Sequence, residues 1–180
     1  RTTDHQVAHS VYLFDPEGNL LEFYADAMQD WRSVFRPDGD ELVSGSWTPG
    51  EPSPVAEPRY PANLKIVRVA DAIFHPLRIA HAALVVEDLE RALRFYTEVA
   101  GLDEVVAGAG GAFAVLRGRS AAYDLALFAV APDRPAGLHH IGFEMPDERE
   151  LDDAEARLKA AGIAPDKVSG AHLAALANAH

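Results

Sequence analysis

Three side chains stand where a metal ion could be held: Glu22, His81 and His140. Glu22 lies inside the apolar run Leu20, Leu21, Phe23 and Tyr24, where a desolvated carboxylate calls for a positive partner. His81 and His140 each sit near the start of a mostly apolar stretch, 59 residues apart, at matching points of an internal repeat. If the two repeats pack about a pseudo-two-fold axis, the imidazoles meet in one cavity. Two His and one carboxylate leave about three positions open on an octahedral ion, the facial set that suits Fe(II) and O2 chemistry. Mn(II) accepts the same donors, and zinc is less favoured. Each residue also has a plainer reading: Glu22 faces water by strand alternation, and each His is a satisfied core residue. Alternation further implies that only one of His139 and His140 faces His81; the repeat selects His140 and leaves His139 behind it or outward.

The elements that would position these groups fall into three stretches. Residues 1–26 read as a hairpin, with Val11 to Phe14 and Leu20 to Tyr24 flanking the turn cluster Asp15-Pro16-Glu17-Gly18-Asn19. Pro16 presets the turn, and Gly18 or Asn19 takes positive φ. Residues 27–76 read as a connecting arm. Met28, Trp31, Val34 and Phe35 suit one short helix, Leu64 to Phe74 an edge strand, and six prolines between 37 and 61 exclude regular structure elsewhere.

Residues 77–180 carry the repeat. Arg78 to Val86 is a strand, and Leu89 to Ala100 a helix capped by Asp88 and ended by Gly101. Asp103–Ala107, Ala112–Arg117 and Tyr123–Val130 supply three more strands, giving a βαβββ module. Gly137 to Met145 restarts the pattern, and Asp147 with Glu150 forms a capping box for a helix over Leu151, Ala154, Leu158 and Ala161, ended by Gly162. Ala171 to Ala179 suits a last helix. The second module's closing strands are absent after Ile163, while a matching hairpin stands at residues 9–26. The fold class expected is α+β, built from paired βαβββ modules that are either circularly permuted or assembled from parts of tandem modules.

Composition narrows the chemistry. Lys and Arg number 16 against 28 Asp and Glu, a net charge of −12; with no basic stripe to neutralise phosphates, nucleic acid is not expected as a partner. The absence of cysteine excludes disulfides, thiolate zinc sites and iron–sulfur clusters, so imidazole and carboxylate must hold any metal. No apolar run approaches the roughly 18 residues of a membrane span. The chain opens at Arg1 without a basic-then-apolar leader, and a cytoplasmic location is the expectation.

The stretches RIAHAALVVEDLERALRFYTEVAGL, GLHHIGFEM and HSVYLFDPEGNLLEFYAD together resemble the vicinal oxygen chelate superfamily, also called the glyoxalase/bleomycin resistance/dioxygenase superfamily. The resemblance covers residues 1–26 and about 77–165. It implies a half-open barrel around a divalent metal, with His81, His140 and Glu22 as ligands. The family order is His, His, Glu, whereas this chain reads Glu, His, His; a partner chain or swapped segment completes the site if one barrel does not hold all three.

The isomerases of the superfamily use a fourth ligand, a Glu on the first module's last strand, but no Glu or Gln occurs between Glu104 and Glu144. The resemblance then favours the extradiol ring-cleaving dioxygenases, or the thiol transferases that inactivate fosfomycin, over lactoylglutathione lyase, and the leading expectation is an Fe(II)-dependent extradiol dioxygenase acting on a small aromatic, metal-chelating substrate. A Tyr ten residues before the ligand Glu belongs to that group, and Tyr12 matches it as a catalytic phenol; its other reading is an ordinary strand aromatic. Tyr123 and Thr3 stand where such enzymes often carry His, and His5 and His9 are substitute proton carriers or solvent-exposed loop or strand-end residues. His75, His172 and His180 have no evident partner. The alternatives are a glyoxalase- or fosfomycin-resistance-type lyase, isomerase or transferase, and a metal-free antibiotic-binding protein. A homo-oligomer is compatible with all of these.

Overall fold

The computed structural model describes residues 1–5, 8–26, 45–51, 69–108 and 110–164. The chain divides into two units, Arg1–Val69 and Ala70–His180. The short helix expected around Met28 to Phe35 and the last helix over Ala171 to Ala179 lie outside the described residues, as do residues 64–68 of the expected strand over Leu64 to Phe74. The part of that strand that is described, Val69 to Phe74, forms turns and bends.

The first unit is an antiparallel sheet in the order β1-β2-β3, with β1 Thr2–Asp4, β2 Ala8–Phe14 and β3 Leu20–Asp26. The hairpin β2–β3 is the one expected from sequence, and its turn has a local cause. The Asp15 carboxylate accepts from the Glu17 and Asn19 backbone N–H groups and from the Asn19 amide, at 2.8–2.9 Å. Gly18 takes φ +87°, the left-handed conformation that a side chain would oppose. Strand β1 was not foreseen. It is three residues long, too short for an alternation signal, and it pairs Thr2–Asp4 with His9–Val11.

The second unit is a five-stranded sheet, order β5-β6-β7-β4-β8, with β4 Arg78–Val86, β5 Asp103–Ala107, β6 Phe113–Arg117, β7 Leu125–Ala129 and β8 Gly137–Glu144. Strands β4 and β7 run parallel, as a crossover through helix α1 requires, and β8 adds antiparallel to the other side of β4. Ala83, Val85, Ala126 and Phe128 form a packed row on one face, with Phe113 against them. Helix α1 contacts β6 and β7 and buries Ala92. The sheets are not closed. The architecture is α+β, as expected, with one complete βαβββ module and the start of a second.

Both helices differ from expectation in their later turns. Asp88 caps α1, accepting from the Arg91 N–H at 2.9 Å. The α-helix covers only Leu89–Arg94, and Phe95–Val99 continues as a π turn. There the Thr97 hydroxyl donates to the Leu93 carbonyl at 2.9 Å, and the Ala100 N–H reaches Phe95. A hydroxyl competing for the i−4 carbonyl widens the turn. The second helix is two pieces, α2 Arg149–Asp152 and α3 Ala154–Ala160. The capping box is half formed: the Asp147 carboxylate accepts from the Arg149 backbone N–H at 2.9 Å and pairs with its guanidinium at 3.0 Å, while Glu150 stands 3.6 Å from His75. The end at Gly162 is as expected. Its φ is +76°, its N–H donates to the Lys159 carbonyl, and the Ile163 N–H donates to Leu158, the paired bonds of a Schellman cap.

Candidate functional site

The repeat brings His81 and His140 together. They project from adjacent antiparallel strands, β4 and β8, with their Nε2 atoms 3.2 Å apart and their rings nearly perpendicular, at 88°. Two nitrogens at bonds of about 2.1 Å to one ion stand about 3.0 Å apart at right angles and about 3.4 Å apart in a tetrahedron. The observed spacing lies between these, so the pair fits one metal ion. The Tyr123 ring lies tilted against His81 at 4.8 Å. Burial holds the His81 imidazole below its ordinary pKa, which favours the neutral form that a metal needs. Its buried Nδ1 has no hydrogen-bond partner among the described residues.

The strand register explains how the two rings meet. Pairing runs Ile79 to Phe143, then His81 to Gly142, so Ala80 is an extra residue on β4; it then runs Ala83 to His140 and Leu84 to Leu138, so His139 is an extra residue on β8. Opposite His81, Gly142 leaves the room in which the imidazole lies: a Cβ built there would fall inside the His81 ring. The requirement is close approach alone, since Gly142 has no left-handed φ. Nothing in the local sequence marks this glycine, because its role follows from cross-strand pairing.

The expectation that His139 and His140 face opposite ways is overturned. A β-bulge suspends alternation locally and re-aims a side chain. Here both imidazoles lie on the His81 side: His139 Nδ1 is 2.6 Å from His140 Nδ1, and the His139 ring is 5.8 Å from that of Phe128 in the packed row.

Glu22 lies in the first unit, directly across from Tyr12 in the β2–β3 ladder. Its Oε1 accepts from the Ser10 hydroxyl at 2.6 Å and the Tyr12 phenol at 2.5 Å, with His5 Nε2 at 3.6 Å. The side chain is 40% exposed, so the carboxylate is partly desolvated and still meets water. Burial pushes its pKa up, but the hydrogen bonds from Ser10 and Tyr12, with His5 nearby, outweigh this and hold it below the ordinary carboxylate value. The hydrogen bond to Glu22, with burial and the carboxylate charge, raises the Tyr12 phenol. His5 Nε2 is also 2.9 Å from Tyr12 Oη. Beside this group a hollow of about 480 Å³ is lined by Arg1, Thr3, His5, Tyr12, Phe14 and Leu20, a volume within the range of small-molecule sites.

His9 stands at the strand end of β2, and it is largely covered. It stacks on Trp47 at 4.5 Å, with Nε2 3.8 Å from the fully buried Asp4. Within either unit, among the described residues, no three His, Asp or Glu side chains gather into a metal-holding group. No described helix is long and apolar enough to cross a membrane.

Comparison with known proteins bears on the whole. The model of the Glyoxalase/Bleomycin resistance protein/Dioxygenase superfamily matches residues 78–177. Over 187 residues the chain is 32% identical to a catechol-2,3-dioxygenase of Bacillus subtilis (strain 168), covering 94% of this chain and 62% of that protein. Among solved structures, the Mn(II)-bound glyoxalase from Novosphingobium aromaticivorans matches with a TM-score of 0.53 and 20% identity, over 87% of this chain and 39% of that one. BphC, a halotolerant catechol dioxygenase, matches at 0.52 and 19%, over 86% and 42%. At these identities the structures share the fold. The chain therefore spans less than two thirds of its curated relative. An alignment over 94% of the chain takes in hairpin, arm and module in one order. The relative therefore carries these segments in the same order.

Proposed function

Because the chain belongs to the Glyoxalase/Bleomycin resistance protein/Dioxygenase superfamily, we propose that it is part of a metal-dependent dioxygenase that opens a catechol ring with O2 beside the diol. The observation that carries this reading is the His81–His140 pair, with two Nε2 atoms at the spacing of neighbouring ligands on strands that begin successive modules. The catechol-2,3-dioxygenase relative supports the reaction class.

We assign Glu22 as the third ligand. Its contacts from Ser10, Tyr12 and His5 all fall on Oε1, so Oε2 is the oxygen to be offered. Fe(II) is the metal proposed, because ring cleavage needs one-electron chemistry with O2, and Mn(II) is the second choice. When bound, the metal supplies Lewis acidity and that redox chemistry. The chain's own residues orient and hold protons. Tyr12 donates its phenol proton to Glu22 Oε1 beside the hollow, and His5, 2.9 Å from the phenol oxygen, is the group that exchanges a proton with it. Strand β7, reading Leu-Ala-Leu-Phe-Ala, offers no carboxylate for the four-ligand set of the isomerases. The partner proposed is a small aromatic chelator, not nucleic acid or membrane.

The test is metal content and O2 uptake with catechol after anaerobic Fe(II) loading, for the native chain and for His140→Asn and Glu22→Gln. One ion per chain, lost in both variants, with a yellow ring-fission product from the native chain, is the expected result. No uptake with any simple catechol refutes the reaction. Full metal retention in Glu22→Gln would remove Glu22 from this centre.

A further inference from the structure

The contact between His139 and His140 is a hydrogen bond between two Nδ1 atoms at 2.6 Å, so one ring must carry a proton on Nδ1 and the other must present a lone pair. The direction decides what His140 offers to His81. If His140 donates, its Nε2 presents a lone pair that accepts the Nε2–H of His81 at 3.2 Å in the metal-free protein, and a metal replaces that proton. If His139 donates, His140 carries its proton on Nε2, and that atom cannot bind a metal.

We infer that His139 is a positioning residue that accepts the His140 Nδ1–H and so fixes His140 in the tautomer whose Nε2 presents its lone pair on the His81 side. The inference rests on the metal reading above for its consequence, but its geometry stands without a metal. The extra residue in β8 places His139 on the same side as His140, and the ring is backed by Phe128 at 5.8 Å. The rings of His139 and His140 are nearly perpendicular, at 80°, which aims one Nδ1 at the other. Ligand imidazoles are commonly oriented by a carboxylate, a carbonyl or water; here a second imidazole, supplied by a bulge, takes that role.

The experiment uses the full chain in two measurements. Long-range 1H–15N spectra of the metal-free protein report the tautomer of each ring, and titration with Mn(II) alone reports affinity. His139→Phe keeps a ring against Phe128 but removes the acceptor, whereas His139→Asn places an amide oxygen near the lost Nδ1. The native chain is expected to show His140 protonated at Nδ1. His139→Phe is expected to lose that preference and to bind Mn(II) about 10–100-fold more weakly, with His139→Asn recovering most of both. A native His140 protonated at Nε2 overturns the inference, as do equal losses in both variants. If the native chain binds no Mn(II), the metal reading fails, and the native and Asn spectra alone decide the role of His139. The same spectra decide it if His139→Phe does not fold.

Discussion

Replacing Gly142 by Ala isolates the steric basis of the His81 position. The added methyl would fall inside the imidazole, and β8 cannot retreat without breaking its pairing with β4, so the ring must leave its place beside His140 and Tyr123. Overpacking of this kind costs about 1–3 kcal/mol. The backbone is not the cause, since Ala is permitted at an ordinary φ. The cost should therefore vanish when the ring is absent. In a double-mutant cycle of Gly142→Ala, His81→Ala and the pair, read by urea unfolding of metal-free protein, Gly142→Ala alone should cost about 1–3 kcal/mol. In the His81→Ala background the same change should cost less than about 0.5 kcal/mol, a coupling well above the scatter expected for independent sites. Additive costs would refute the argument that Gly142 exists to admit the imidazole. A native-like stability of Gly142→Ala by itself would do the same.

Two further outcomes follow from the shifted groups. His81 is held below its ordinary pKa by burial, so the unfolded chain binds its proton more readily. Its contribution to stability is present above the unfolded value of about 6.5 and is lost as pH falls through the lower folded value. Unfolding of metal-free protein at pH 5 and pH 7.5 should show a loss on acidification that His81→Gln reduces; an identical pH dependence in that variant would exclude His81 as a source. Tyr12→Phe removes a hydrogen bond that lowers the Glu22 pKa, so 13C titration of the Glu22 carboxyl should show its pKa rising. An unchanged or lower value would contradict the cross-strand bond as its cause.

What the sequence disclosed and what it concealed divide by the range of the interaction responsible. Asp88, Gly162 and the Asp15–Asn19 turn were legible because each acts on backbone a few residues away. The repeat was legible too, and it carried the pairing of His81 with His140 across 59 residues, because equivalent strands of a repeated module meet about a common axis. The π turn and the broken second helix were hidden, since each depends on which partner a side chain chooses: Thr97 the Leu93 carbonyl, Glu150 the neighbourhood of His75. The bulge was hidden for a deeper reason. Alternation is a property of one strand, whereas the extra residue at His139 is defined only by the count of residues on β4 opposite it. Two strands in perfect register would have placed one of the adjacent imidazoles on the far face, as alternation demands. Ala80 on β4 and His139 on β8 offset each other, so the register before and after them agrees, and only the segment between, which holds both His81 and His140, is shifted by one. This departure from regular pairing thus encloses His81 and His140, two of the residues proposed to hold the metal, and it is there that a single-strand rule was bound to fail.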